Sequence, residues 1–274
     1  MFLATFHAER PGETSSAFAS LPVVSQGKEY PSSYAVLASA LRAPAARARV
    51  LDLACGDGYL LSMLSGLAGA HVQLHGADLS MAELQRAHGR LGASATLCRS
   101  RAQSLPFEDG TFDHVFCHLA LMLMDDVDRV MAELHRVMKP DAVLAAVVGG
   151  RSPPSPGQDV FRNVISRYSR QEQFTDVRIG DARFRTREGI GELLAPLFTD
   201  VCIDDISIGR RLAPAQLWQW FLGMYDLYLL DDAARVAVQP EFLAAAAAAC
   251  EEDGRIPYQQ AMLFFSARNK PGTP

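Results

Sequence analysis

The nine residues Val50 to Gly58, VLDLACGDG, join an apolar run of strand type to two glycines that open a helical pattern. Glycine at such a corner lets the backbone approach a ligand closely, and the first turn of the following helix offers unpaired N–H donors to a carboxylate or phosphate. A dinucleotide site would continue as G-x-G-x-x-G/A, but counting from Gly56 through Gly58 brings Leu61 to the third position. The phosphate loop G-x-x-x-x-G-K-[ST] is absent as well. Asp78 follows Gly58 by 20 residues at the end of a second strand-like run, where a carboxylate can take both hydroxyls of a ribose. Together these residues describe a site for a ribose-bearing ligand that brings no pyrophosphate.

A site of this kind has to be held by strands and helices in alternation, and the chain from Arg49 supplies them. The strand Val50 to Ala54 leads into a helix carrying Leu60, Leu61, Met63, Leu64 and Leu67. A second strand, His71 to Asp78, precedes a helix that Ser80 can cap and that Met81, Leu84 and Leu91 make amphipathic. Ala95 to Arg99 is a third strand, Leu105 to Gly110 a turn, and Phe112 to Cys117 a fourth strand. Val127, Val130, Met131, Leu134 and Val137 mark a helix ending near Pro140, and Ala142 to Val148 is a fully buried fifth strand. Five strands alternating with helices predict an α/β, Rossmann-like doubly wound sheet of mostly parallel strands.

The flanks are less regular. Residues 1–30 read as an irregular lead, followed by one helix with Tyr34, Leu37, Ala38 and Leu41 before Pro44. Beyond Gly149, a Pro/Ser connector (Ser152 to Pro156) and a polar Arg- and Gln-rich stretch form an insertion. Thr186 caps a helix through Leu197, Val201 to Ile208 is a strand, and Tyr258 to Ala267 is the last strand. Between them Leu217, Trp218, Trp220, Phe221, Met224, Leu227, Tyr228 and Leu230 are apolar nearly all round. The expected organisation is an N-terminal helical or lid segment at 1–46, a cofactor core at 47–150 and an insertion at 151–185. A core helix and strand follow at 186–209, a helical lid insertion at 210–255 and a final core strand at 256–270.

Composition narrows the classes. The 274 residues are 49% hydrophobic and 21% charged with a formal net charge of -5, a profile for one large globular domain or a domain with a cap. No apolar run has the length of a membrane span, and no basic region precedes Phe2, Leu3 and Phe6, so a cytoplasmic chain without a membrane partner is expected. The 5 cysteines contain no C-x-x-C pair, which predicts reduced thiols and no structural metal. A mildly acidic balance offers no general face for nucleic acid.

Four segments in order carry a resemblance: VLDLACGDG, the acid within HGADLS (His75 to Ser80), SLPFEDGTFDHVF (Ser104 to Phe116) and ELHRVMKP (Glu133 to Pro140). From Val50 to Val148 the chain resembles the class I S-adenosylmethionine-dependent methyltransferases of the small-molecule type. The resemblance implies a seven-stranded sheet with an antiparallel last strand and helical lid insertions. It also implies S-adenosyl-L-methionine as cofactor and S-adenosyl-L-homocysteine as product. By the same resemblance Ala54, Cys55, Gly56, Asp57 and Gly58 lie against the methionine part, Asp78 holds the ribose, and Ala102 with Gln103 lies beside adenine. Cys117 and His118 fall beneath the transferable methyl, while Tyr34, Asp52, Leu79, Met81 and Arg101 complete the implied cofactor set. Two departures stand out: Arg101 replaces a common acid near adenine, and Asp141 with Ala142 replace the usual glycines after Lys139-Pro140.

The implied reaction moves a sulfonium methyl to O, N or C of a small, partly apolar metabolite, with alignment and water exclusion supplying most of the rate. Where a general base is needed, His118, Tyr225, Asp226 and Tyr228 are the candidates. A narrower similarity, in CHLAL (Cys117 to Leu121) and the tail DGRIPYQQAMLFFSARNK, is to the malonyl-acyl-carrier-protein O-methyltransferases. It implies a carboxylate on a carrier arm and a basic dock that Arg210 and Arg211 could form. A third reading has the bound cofactor promote a cyclisation or rearrangement without methyl transfer. Trp218, Trp220, Phe221, Tyr225 and Tyr228 fit a helix core and a substrate wall equally.

Overall fold

The computed structural model describes residues 2–19, 21–41, 47–68, 71–168 and 180–272. The expected helix stop at Pro44 and the stretch 169–179 of the polar insertion lie outside the described residues. The chain opens with two short helices, α1 (Phe2–Glu9) and α2 (Glu13–Ala19), and a hairpin of β1 (Val23–Ser25) and β2 (Lys28–Tyr30). Gln26 and Gly27 turn the hairpin, both at positive φ, as a two-residue loop requires. Helix α3 (Ser33–Ala38) follows, its N-cap Ser32 accepting a bond from the Ala35 amide. The lead expected to be irregular is therefore ordered. Its elements have 3 to 8 residues, too few for a period to show in sequence, and long-range contacts hold them.

From β3 (Ala48–Leu53) the expected alternation appears: α4 (Tyr59–Ala68), β4 (Val72–Asp78), α5 (Met81–Leu91), β5 (Ala95–Arg99), β6 (Phe112–His118), α6 (Val127–Val137) and β7 (Met138–Gly149). The C-terminal half adds α7 (Pro156–Tyr168), α8 (Arg187–Leu194), β8 (Phe198–Leu212), α9 (Pro214–Leu222), α10 (Asp232–Ala248) and β9 (Ile256–Asn269). Strand order is β2-β1-β8-β9-β7-β6-β3-β4-β5. Strands β3 to β7 pair in parallel and β9 runs antiparallel to β7. Among the described residues the sheet thus has nine strands where seven were expected, because the three-residue strands of the β1–β2 hairpin extend it beside β8. Such strands are too short for a period-2 pattern to register.

Connections leave β3 toward β4 on one side while β6 lies on its other side, so the order reverses at β3. In an open α/β sheet this is where a crevice forms at the carboxyl ends of the strands, and it is where Val50 to Gly58 ends.

Two compact units divide the chain: Met1–Gly150, Ile179–Ile206 and Met262–Pro274 form one, and Arg151–Arg178 with Ser207–Ala261 form the other. In the first, β6, β7 and α6 bury a continuous apolar layer, with Phe112, Val115, Leu134, Val137 and Leu144 fully enclosed. The ELHRVMKP and SLPFEDG segments are joined by one arginine. Arg136 donates to the carbonyls of Phe107 (2.8 Å) and Leu105 (3.2 Å), while Glu133 accepts from the Leu105 amide at 2.6 Å. Arg129 in turn donates to the carbonyl of Gln103 at 3.1 Å, so this helix also holds the loop that carries Ala102 and Gln103.

The second unit has its own aromatic core. Phe161 stacks on Phe221 at 3.6 Å, Trp218 packs on Phe242, and the Trp220 indole donates to the Tyr258 hydroxyl at 2.8 Å. Trp218, Trp220 and Phe221 are therefore buried core residues of this unit. Tyr225 and Tyr228 lie half-buried on the short 3-10 turn Tyr225–Leu229.

Candidate active site

The turn after β3 places Ala54, Gly56 and Gly58 at φ of 56°, 52° and 77°. Only Ala54 among them carries a Cβ in this left-handed region, which costs about 1–2 kcal/mol for an L residue. The two glycines are needed for different reasons. A Cβ at Gly58 would lie 2.8 Å from Leu91 and 3.1 Å from Ala87 of α5, whereas at Gly56 its nearest neighbour would be a Glu83 oxygen at 3.9 Å. Gly56 serves its backbone angle alone, and Gly58 both its angle and its packing. Gly76 of β4 answers the dinucleotide mismatch: a Cβ there would meet Leu61 and Cys55 at 2.8 Å. The close helix-to-sheet approach is obtained by a glycine on the strand, which leaves room for Leu61 on the helix.

Asp78, at the end of β4, is held from both sides. Its Oδ2 accepts from the Gly56 amide at 2.9 Å and its Oδ1 from the Ser80 amide at 2.7 Å. Burial raises its carboxyl above the ordinary range, and these two N–H groups counteract the rise. Asp52 lies deeper in the crevice, with Oδ2 buried and without a hydrogen-bond partner among the described residues. Burial pushes its carboxyl well up, and Asp78 and Asp57 add to the effect. Asp57 forms an ion pair with Arg90, whose Nε also donates to the Asp57 carbonyl at 3.0 Å and whose guanidinium lies over the Tyr59 ring. Its role is to brace the turn against α5. Leu79 and Met81 flank Ser80 and are 47% and 48% exposed, large apolar side chains left open beside Asp78.

The end of β6 brings His118 to the same edge. Asp52 pairs with Phe116 across β3 and β6, so His118 stands two positions further toward the crevice. Its ring stacks on Tyr34 at 3.6 Å, meets Phe18 edge-on, and shares a 2.9 Å hydrogen bond between Nε2 and Ser33 Oγ. Tyr34 also contacts Tyr59 at 4.8 Å, which links this aromatic group to the first residue of α4. Burial lowers the His118 imidazole to about 3, so the ring is neutral at physiological pH. Cys55 and Cys117 are buried, and burial pushes both thiols up, away from thiolate chemistry.

On the adenine side of the expected site, Ala102 and Gln103 are half-buried and Arg101 is exposed. Gln103 donates through Nε2 to the Asp125 carbonyl and Oδ1, each at 2.7 Å, and Arg101 faces the same carboxylate at 3.4 Å. Tyr225, Asp226 and Tyr228 belong to the second unit, where the Tyr228 hydroxyl donates to the Leu222 carbonyl at 3.0 Å. Arg211, one half of the expected basic dock, is engaged by Glu251 and Asp253 of that unit.

Several residues of the site were not read from the sequence. Phe18 and Ser33 contact His118, and Glu83 is buried beside the turn. The Glu83 carboxylate accepts from the Gly12 amide at 3.0 Å and meets His7 Nδ1 at 2.8 Å, fastening the N-terminal segment to α5. Ser80 and Glu83 have the spacing of a capping box, a signal that predicts the helix start and hides the long-range use of the acid.

Comparison with known proteins finds similarity over the same stretch of the chain. Residues 51–146 match the methyltransferase domain family. Over 121 residues the chain is 38% identical to a 2-phytyl-1,4-naphtoquinone methyltransferase of Synechococcus elongatus, covering 42% of this chain and 52% of the relative. A malonyl-[acyl-carrier protein] O-methyltransferase of Halorhodospira halophila is 28% identical over 243 residues, 82% of this chain and 76% of the relative. The chain spans about half the length of the first of these relatives. Among solved structures, the phosphoethanolamine N-methyltransferase 2 of Haemonchus contortus, in complex with phosphomonomethylethanolamine and S-adenosylhomocysteine, shares the fold. Its TM-score is 0.53 at 18% identity, over 87% of this chain and 52% of that one. No helix among the described residues is long and apolar enough to cross a membrane. The glycine turn, Asp78 and the end of β6 all fall inside the segment, residues 51–146, that is similar to the methyltransferase domain family.

Proposed function

We propose that the protein is an S-adenosyl-L-methionine-dependent methyltransferase acting on O, N or C of a small, partly apolar metabolite. The observation that carries this reading is the bond from the Gly56 amide to Asp78, which makes the glycine turn and the ribose-position acid one preformed site. The cofactor fits the residues present: the orphaned Asp52 oxygen suits an ammonium donor, Asp78 a ribose diol, and Leu79 with Met81 the face of an adenine. When bound, S-adenosyl-L-methionine supplies a methyl group already activated by a positive sulfur.

What the chain contributes is position and dryness. Asp78 is preoriented by two backbone amides, so little ordering remains to be done on binding. The buried rings of Phe18, Tyr34 and His118 keep water from this end of the crevice. Equilibrium binding of S-adenosyl-L-methionine tests the core of the proposal. The wild type should bind saturably while Asp78→Ala and Gly56→Val do not, and equal binding by all three would overturn the reading. Release of S-adenosyl-L-homocysteine in step with product separates methyl transfer from a rearrangement.

A second reading has specific support, because the Halorhodospira relative is similar over most of this chain. In it the acceptor is a carboxylate on an acyl-carrier arm. With Arg211 engaged by two acids, such a carrier would dock through Arg210 and other arginines. Methyl transfer to malonyl-acyl-carrier protein, with none to free quinols or phenols, would establish it over the first.

A further inference from the structure

Resting on the reading that this crevice takes an S-adenosyl ligand, we infer that Ser33 is a positioning residue that fixes the tautomer of His118. The tautomer so fixed makes the His118 Nδ1–H a hydrogen-bond donor to a ligand carboxylate oxygen.

Ser33 is 1% exposed and His118 8%, and the 2.9 Å bond to Nε2 is the only hydrogen bond of the Ser33 hydroxyl among the described residues. His118 Nδ1 is buried and has no partner among them. A neutral imidazole and a hydroxyl can share one bond in two ways. If Nε2–H donates to Ser33, the hydroxyl hydrogen and the Nδ1 lone pair are both buried unpaired. If the hydroxyl donates to Nε2, only the Nδ1–H remains unpaired. Buried polar groups without partners are costly, so the second arrangement is preferred. Stacking on Tyr34 holds the ring plane, and the low basicity of the buried ring is consistent with a neutral form.

Among the described residues, the crevice then contains an unmet donor, His118 Nδ1–H, and an unmet acceptor, Asp52 Oδ2, on adjacent strands whose register brings both to the carboxyl edge. A zwitterionic amino-acid group answers both at once, its ammonium at Asp52 and its carboxylate at His118. The cofactor brings such a group, and an acceptor molecule with a carboxylate would satisfy His118 by the same chemistry. With its proton on Nδ1 and Nε2 already accepting from Ser33, His118 has no free basic nitrogen, so this assignment makes it a donor and not the general base.

Nitrogen-15 NMR of the full chain with labelled histidines tests the inference. His118→Gln identifies the resonance among the 7 histidines. The expected result is the Nδ1–H tautomer in the free protein, with its signal displaced by S-adenosylhomocysteine and not by 5′-methylthioadenosine, which lacks the amino-acid group. Displacement by benzoate in the presence of 5′-methylthioadenosine would place the oxygen on the acceptor molecule and also supports the donor role. Ser33→Ala should shift the ring toward Nε2–H and weaken S-adenosylhomocysteine about tenfold while leaving 5′-methylthioadenosine unchanged. An Nε2–H tautomer in the wild type, an Nδ1–H signal moved by neither carboxylate, or equal weakening of both nucleosides in Ser33→Ala would each overturn it. Absence of calorimetric binding by S-adenosylhomocysteine overturns the cofactor reading instead, since the tautomer and the benzoate response are measured without it.

Discussion

The Gly56 amide donates to Asp78 Oδ2 across 2.9 Å, tying the turn after β3 to the acid at the end of β4. The same carboxylate therefore shapes the turn and, in the function proposed above, is the group that takes a ribose. Asp78→Ala should lower affinity for S-adenosylhomocysteine by roughly a hundredfold or more, the loss of two charge-assisted hydrogen bonds. Asp78→Asn, which keeps one acceptor oxygen for the turn, should lose less. Calorimetric titration of both variants decides it, and unchanged affinity in Asp78→Ala would remove this residue from the site.

Ala54 holds a left-handed backbone at φ 56°, a conformation in which a residue with a Cβ is strained. Ala54→Gly relieves that conformation and should raise stability by about 1 kcal/mol, after allowance for the greater freedom of glycine in the unfolded chain. Chemical denaturation with the slope held in common measures the gain. A loss of stability would show that the alanine methyl is needed for packing.

Glu83 joins α5 to the N-terminal segment through His7 and the Gly12 amide. Glu83→Ala leaves the buried Gly12 donor unpaired, at a cost of about 1–3 kcal/mol. Hydrogen exchange should accelerate in α1 and α2 while β3, β4 and β6 stay protected, and Glu83→Gln, which still accepts from Gly12, should show a smaller change. Uniform acceleration across the sheet would contradict this local role.

Asp52 makes binding depend on pH. In the free fold burial favours its neutral carboxyl, so the group has no effect below the ordinary carboxylate range, destabilises the fold increasingly as pH rises from that range to its raised value, and exerts a constant cost above it. A ligand ammonium favours the ionised form, so binding expels a proton and tightens with rising pH. The gain is at most about tenfold per pH unit for one proton. Calorimetry of S-adenosylhomocysteine in buffers of different ionisation enthalpy reads the released proton directly. Asp52→Asn should abolish this component, and an unchanged proton release in that variant would assign it to another group.

The sequence by itself determined the alternation from β3 to β7, the glycine turn and the acid after β4, because each rests on local chemistry. Apolar runs of period 2 or 3.6 have to be buried, Gly56 has to adopt positive φ, and Ser80 caps the helix that it precedes. Tertiary structure alone decided what surrounds those residues. Glu83 looks like half of a capping box until the N-terminal segment reaches it from 71 residues away at Gly12. Leu61 looks like a broken dinucleotide pattern until Gly76 of the neighbouring strand makes room for it. The stripe of Trp218, Trp220 and Phe221 was legible as apolar, but only its packing on Phe161, Phe242 and Tyr258 made it a core. Ser33 carried no signal at all, since a hydroxyl at a helix start is commonplace and its meaning comes from a histidine 85 residues away. Local patterns record what a residue does to its own backbone, whereas a shared proton or a close contact between distant segments exists only once the chain has folded.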